Sequence, residues 1–424
     1  MSAPSTRSAP RVLVMLGGIP LHGQERGNIQ VFTALKDTGV EALFVTHKAY
    51  GHESIQPALD GLGLRWTVGT YPGLLSRGMG PREWGQRARE IAAANWDFWR
   101  AGRAFRPTHV HVCNEGHVLA LLPAVRALGV PVVFRLGDEP RQHRPLFRRI
   151  WHRLILPSVD QWVCISDYVR GKLLAAGADP ATIRVIHNAP PERPPDLEIS
   201  GTAGSTRGDD ALADVVAEPF GGRTVVYMGQ LNENKGVHLL VEAALRLCRE
   251  RPYVRFLIAG DYAWQNPFAR GLMAEVEAAG LQDRVRFLGY VNDVPALLAL
   301  ADVHAAPSVW EEPLGNVAVE AKRAGVPSVV FPSGGLPELV VEQGRDGLVC
   351  AAKTADALEA GLRHYLDATD AALVASKEAA KSSLARLGIT REAFTEAWLD
   401  VYWPGRSAAL QARDEPAATR VVTE

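Results

Sequence analysis

Short apolar runs recur along the chain, each closed by a loop of glycine, asparagine or aspartate. They stand at 12–16 (Val-Leu-Val-Met-Leu), 41–46, 109–113, 131–136, 161–165 and 183–189, and again at 224–228, 254–261, 285–291, 301–306 and 328–331. Continuous apolar runs that alternate with helical stretches are what a parallel sheet covered on both faces requires. The pattern predicts an α/β chain. At 424 residues it exceeds one simple core, so two domains are expected. We place a first Rossmann-like, doubly wound domain at 11–190 and a second at 223–390. Between them, 191–222 is rich in Pro, Gly, Ser and Asp without periodicity, which reads as a linker or mobile loop. A final helix is expected over 391–403, with loose ends at 1–10 and from Pro404 onward.

A formal net charge of −1 gives no bulk attraction to nucleic acid. Cys113, Cys164, Cys248 and Cys350 are widely spaced in apolar settings, the pattern of buried reduced thiols rather than of a metal or redox site. The run 11–21 has a basic flank, but glycine interrupts it and no Ala-x-Ala follows, so it reads as a first strand and not a leader. No run is long enough to cross a membrane. These features point to the cytoplasm. Arginines cluster at 77–106 among Trp84, Trp96, Phe98 and Trp99, and a second basic helix, with Arg148, Arg149, Trp151 and Arg153, is expected over 141–156. Such faces either are solvated amphipathic helices or meet an anionic inner membrane face or lipid-linked phosphate.

The most informative stretch is 307–320, Pro-Ser-Val-Trp-Glu-Glu-Pro-Leu-Gly-Asn-Val-Ala-Val-Glu. Glu312 falls in a loop at a strand's carboxyl end, Pro313 and Gly315 shape the turn, and a helix starts near Asn316 with Glu320 one turn in. Free N–H groups at that start suit an anion. Glu312 and Glu320, flanked by Pro307-Ser308, Gly315, Ala321, Gly325 and Pro327, resemble the Glu-x7-Glu hallmark of retaining nucleotide-sugar glycosyltransferases of GT-B fold, in glycosyltransferase family four. Leu314 replaces the usual aromatic.

The resemblance covers most of 12–403. It implies two Rossmann-like domains facing a central cleft, with the last helix crossing back to the first. Gly229-Gln230-Leu231-Asn232-Glu233-Asn234-Lys235-Gly236 resembles the element in which arginine and lysine hold the donor diphosphate. Lys235 fits, and Gln230 stands where arginine is usual. Gly23 matches part of the loop that approaches the diphosphate from the first domain, and Tyr290 and Val291 match the neighbourhood of the base. At 137–138 the family reads His-Asp and this chain Gly-Asp, so Asp138 carries over while the histidine is missing. His117 or His143 could approach instead, and Asn114, Glu115 and His117 are acceptor-side candidates.

The function implied is transfer of a hexose, with retention, from a nucleotide diphosphate sugar to a glycan, lipid-linked or small-molecule acceptor. Lys235 and the N–H groups of Leu314, Gly315, Asn316 and Val317 would meet the leaving diphosphate. Glu320 would hold the ribose, Glu312 the sugar, and Asp138 would serve near the reacting centre. No cofactor is implied, and no Asp-x-Asp occurs, so no metal clamp is expected. A non-catalytic nucleotide-sugar-binding subunit and a nucleotide-sugar 2-epimerase are the alternatives.

Overall fold

A computed structural model describes residues 8–16, 23–47, 55–70, 80–141, 145–189, 207–260 and 266–406. The first sheet comprises β1 (Arg11–Met15), β2 (Glu41–His47), β3 (Arg65–Gly69), β4 (His109–Val112), β5 (Val132–Leu136), β6 (Gln161–Cys164) and β7 (Ile183–Val185). Its order is β3-β2-β1-β4-β5-β6-β7, and every pairing is parallel. The second comprises β8 (Arg223–Met228), β9 (Val254–Ala259), β10 (Val285–Gly289), β11 (Val303–Ala306), β12 (Ser328–Val330) and β13 (Gly347–Val349). Its order, β10-β9-β8-β11-β12-β13, is again all parallel.

These are the two doubly wound Rossmann-like domains expected. Each order reverses once, at β1/β4 and at β8/β11. Ligands in open parallel sheets bind outside the carboxyl ends of the strands at such switch points. The reversals therefore say where to look before any side chain is considered. The sequence reading did not name the strands β3 and β13. β3 is an edge strand whose residues are mostly half-exposed, and β13 is an edge strand of three residues.

Two stretches differ from the sequence reading. Within the expected linker, Arg207–Ala217 is an α-helix. It buries Leu212 and Val215 in a cluster with Val226, Met228, Leu257 and Leu288. Leu212 and Val215 share its buried face, which the Gly- and Asp-rich composition around them hid. The Asp209 carboxylate accepts from the N–H and the Nδ2 of Asn292, both at 2.8 Å. Over 141–156 a single helix was expected. The structure has a short helix Pro145–Ile150, a π-turn Trp151–Ile155 and a 3₁₀ turn Leu156–Ser158. The wider turn coincides with burial of Trp151, whose ring lies 5.7 Å from that of Trp162. The four cysteines are free and buried. The expectations for 1–7, 17–22, 190–206 and 407–424 lie outside the described residues.

The last helix, Arg391–Tyr402, packs Phe394, Trp398, Leu399 and Tyr402 against β1, Phe32 and Leu35 of the first domain. One buried polar chain pins it there. Tyr402 Oη is 2.6 Å from His111 Nδ1, and His111 Nε2 is 2.8 Å from Asn28 Oδ1. Burial, with the charge of Arg135 second, pushes the His111 pKa down to about 3. The ring is therefore a neutral structural link.

A second buried polar group fastens the helix Asn316–Arg323. Lys322 Nζ donates to Asp346 Oδ2 (2.7 Å), the Asp346 carbonyl (2.9 Å) and Ser383 Oγ (2.9 Å). Asp346 also accepts from the N–H groups of Val341 and Glu342. The side chains are 0% and 2% exposed. Removing one partner leaves a buried charge unpaired. Asp346→Ala should therefore cost about 3–5 kcal/mol in urea unfolding. Glu218→Ala, which breaks the exposed pair with Arg286, should cost less than about 1 kcal/mol.

Candidate active site

Two loops meet at the switch point of the second sheet. After β8 the chain passes Gly229, Gln230 and Leu231 into the turn Glu233–Lys235, where Asn232 Oδ1 accepts from the Lys235 N–H at 3.1 Å. Gly236 then opens the helix Val237–Glu250 at φ 67°. After β11 comes Pro307-Ser308-Val309-Trp310-Glu311-Glu312. The loops lock through backbone, because the N–H groups of Val309 and Trp310 both donate to Asn234 O, at 2.9 and 3.0 Å. A Cβ at position 236 would sit 1.8 Å from Pro307 O, so only glycine fits. This locking brings Lys235 Nζ to Glu312 Oε1 at 2.5 Å. Ser308 Oγ adds a bond to the same oxygen at 2.7 Å. The two groups given separate roles from sequence are thus one ion pair, largely shielded from solvent.

Glu311, the neighbour outside the Glu-x7-Glu pattern, braces the loop. Its carboxylate accepts from Lys353 Nζ at 2.6 Å and from the Gly334 N–H at 2.5 Å. The Lys353 bond is the main reason its pKa is lowered. Gly334 has φ 56°, and a Cβ there would lie 2.0 Å from Glu312 O. The glycine loop before Glu338 is therefore the wall against which Glu312 rests.

The helix Asn316–Arg323 starts behind Gly315 at φ 96° with no side-chain cap. Its first N–H groups stay available to an anion. Leu314 is 1% exposed and belongs to a core cluster that runs on into the first domain. Val317 and Glu320 are half-buried, whereas Asn316 is exposed. Burial pushes the Glu320 pKa up, opposed by the charge of Arg26 across the cleft. That direction is opposite to the one expected from a helix start alone. Gln230 is exposed and bonded to Asn232 Nδ2. Tyr290 is 39% exposed and Val291 is buried, at the carboxyl end of β10 against the helix Arg207–Ala217.

On the first domain, Gly23 opens the helix Gly23–Leu35. Asn114 caps the helix Glu115–Leu128, accepting from the Gly116 N–H at 2.7 Å. Burial raises the Glu115 pKa and pushes that of His117 down to about 4. His117 is therefore a neutral, buried ring. Asp138 is exposed and accepts from the Glu139 N–H at 2.8 Å. His143 lies outside the described residues.

The structure adds residues that carry the two halves together. Glu338 accepts from the N–H groups of Asp167 (2.8 Å) and Tyr168 (2.6 Å) at the start of the helix Asp167–Ala175, and lies 3.3 Å from His187 Nε2. Ser166 Oγ donates to Pro313 O. Asn188 Nδ2 donates to Asn316 Oδ1 at 2.9 Å. Ser166 and Asn188 follow strands noted from sequence, but nothing local in the chain says which loops of the second domain they meet.

Comparison with known proteins agrees with this architecture. The family described as glycosyl transferase 4-like domain matches residues 23–189, and the one described as glycosyl transferases group 1 matches 210–382. A 2-deoxystreptamine glucosyltransferase of Streptomyces kanamyceticus is 28% identical over 327 residues, 74% of this chain and 81% of its own length. Spore coat protein SA of Bacillus subtilis is 26% identical over 253 residues, 57% of this chain; the match spans only 63% of that relative's length. Among solved structures, a glycosyltransferase from Rickettsia africae superposes with a TM-score of 0.75 at 16% identity, covering 93% of this chain and 98% of its own. Anabaena HepE, solved with UDP and glucose, gives 0.70 at 20% identity, over 92% and 99%. The chain is a glycosyltransferase of GT-B architecture, its first half a glycosyl transferase 4-like domain and its second a glycosyl transferases group 1 domain.

Proposed function

We propose that the chain transfers a hexose from a nucleotide diphosphate sugar to an acceptor, with retention of configuration and without a metal ion. The observation that carries this reading is the meeting of Lys235, Glu312 and Ser308 beside the uncapped start of Asn316–Arg323. A departing diphosphate develops negative charge, and preorganised donors at that point stabilise it. Lys235 and the N–H groups of the helix start are such donors. The sequence has no Asp-x-Asp pair to hold a metal for the same task. The Streptomyces relative is a glucosyltransferase and HepE was solved with UDP and glucose, which supports a nucleotide-activated hexose.

In this reading Lys235 is shared between Glu312 and the diphosphate. Glu312 Oε1 takes the bonds from Lys235 and Ser308, and Oε2 is left to accept from a sugar hydroxyl. Glu320, one turn into the helix, accepts from the ribose hydroxyls. Transfer breaks the bond from the anomeric carbon to the diphosphate oxygen and forms one to the acceptor oxygen on the same face. The acceptor proton passes to the departing diphosphate. The acceptor lies between the halves, near Asn114, Glu115 and Asp138. Trp84, Trp96, Leu146 and Phe147 are exposed among arginines on the first half, which is in keeping with peripheral contact to a membrane carrying a lipid-linked acceptor.

Lys235→Ala should weaken binding of the nucleoside diphosphate by about 1.5–3 kcal/mol, the scale of a hydrogen bond to a charged group, measured by calorimetry. Glu312→Gln should mainly lower kcat. Because the pair is one unit, the double variant should fall short of additivity by about 0.5–3 kcal/mol. Additive losses would separate their roles.

Turnover should persist after exhaustive dialysis against EDTA. Loss restored by magnesium or manganese would overturn the metal-free reading.

Glu320 gives a pH-dependent outcome. Its folded pKa lies above the ordinary glutamate value, so the folded state holds the proton more tightly and loses stability as pH rises through that raised value. Glu320→Gln should raise the Tm of the ligand-free protein at pH 7, while raising the KM for the donor. The Tm gain should vanish below roughly pH 4, where both side chains are neutral.

A further inference from the structure

The first domain holds a charged group that no described residue neutralises. Arg135, in β5, is 2% exposed. Its Nη2 donates to Asn188 Oδ1 at 2.6 Å, and its Nη1 is buried with no hydrogen-bond partner. No carboxylate lies within ion-pair distance of it among the described residues. Burial lowers its pKa only to about 10, so the guanidinium is charged at neutral pH. A buried cation without a counter-charge is costly, by far more than an ordinary misplaced polar group.

Two glycines border it. A Cβ at Gly27 would lie 2.3 Å from Nη2 and 3.0 Å from Nη1. The helix Gly23–Leu35 thus presses bare backbone on the guanidinium. A Cβ at Gly137 would lie 3.7 Å from Nη1. The guanidinium therefore borders the place where a side chain at 137 would begin, at the carboxyl end of β5. Through Asn188 it connects to Asn316, the first residue of the uncapped helix of the other domain. An Asn side chain relays position but not charge, so the guanidinium remains uncompensated.

We propose that Arg135 is a substrate-binding residue whose Nη1 takes a phosphate oxygen of the bound substrate, in the space left by Gly137. The proposal rests on the sugar-transfer reading and deepens it. A planar guanidinium with one edge held by Asn188 offers its other edge in a fixed direction, which suits a phosphate better than an ammonium would. The phosphate belongs either to the departing diphosphate or to a phosphorylated acceptor, and the chemistry of recognition is the same.

Wild type, Arg135→Met and Arg135→Lys are compared by calorimetry with UDP, GDP, ADP and inorganic pyrophosphate, by thermal unfolding with and without inorganic phosphate, and by donor hydrolysis. Met removes an unpaired buried charge, so the ligand-free Tm should hold or rise in Arg135→Met. Ligand affinity should fall about ten- to a hundredfold, with Lys intermediate. Loss confined to pyrophosphate and the nucleotides assigns the oxygen to the donor. Loss confined to the stabilisation by inorganic phosphate assigns it to an acceptor phosphate. A lower ligand-free Tm with unchanged affinities for every probe would make Arg135 structural and overturn the proposal. If wild type binds pyrophosphate and no nucleotide, the sugar-transfer reading fails while Arg135 is still tested. If wild type binds none of the probes, both fail.

Discussion

The backbone of residues 307–313 lies between two glycines, and neither position has room for a side chain. Gly236 meets Pro307 O from the β8 side, and Gly334 meets Glu312 from the β12 side. This double contact sets the height of Glu312 above the sheet and its distance from Lys235. The Lys235–Glu312 ion pair follows from that placement. A Cβ at 334 would clash with the Glu312 backbone itself, which cannot swing aside as a flexible side chain can. Left-handed φ at both positions adds a second reason for glycine.

The two domains meet through groups that belong to the site. Leu314, from the loop that carries Glu312, is buried in the same apolar cluster as Val118, Phe134 and Val169 of the first domain. Glu338 follows the glycine that supports Glu312, and its carboxylate occupies the N-terminal end of a first-domain helix. A carboxylate there meets both unsatisfied N–H groups and the positive end of the helix dipole. The site loop therefore feels the position of the opposite domain through one apolar and one polar contact. A change in either would move Glu312 without touching it.

The sequence carried the fold through its runs of apolar residues, because a strand buried on both faces has to be apolar throughout. It was silent where that demand lapses. The edge strand Arg65–Gly69 is partly solvated and needs no apolar run, and Gly347–Val349 is only three residues long. The helix Arg207–Ala217 rests on little more than Leu212 and Val215, in a stretch whose composition reads as loop. At the site, glycines and prolines around Lys235 and Glu312 were legible because backbone geometry restricts residue choice locally. That the two form a pair was not legible, since 77 residues separate them. The role of Arg135 was hidden for the same reason. In the chain it is one polar residue inside an apolar run, and only the fold shows that its Nη1 has no partner among the described residues.

The shielded ionisable groups in this structure are resolved in three ways, and the contrast separates scaffold from site. Lys322 and Asp346 satisfy each other and the backbone around them, so their burial fixes geometry and leaves nothing for a ligand. His111 is satisfied as a neutral ring, with both nitrogens bonded. Glu320, half-buried on the second domain, has its pKa raised by burial, and Arg135, on the first domain, is buried with Nη1 unpartnered among the described residues. A fold selected for stability alone would replace both with apolar residues of similar size, since an unpaired buried charge opposes folding. Their placement, Glu320 one turn into the helix after β11 and Arg135 near the carboxyl end of β5, lies where parallel sheets bind ligands and fits the proposal that the missing partners arrive with the substrate. A ribose hydroxyl donates to the first, and a phosphate oxygen accepts from the second. On that proposal, binding would relieve the cost of the unpaired charge in the free protein.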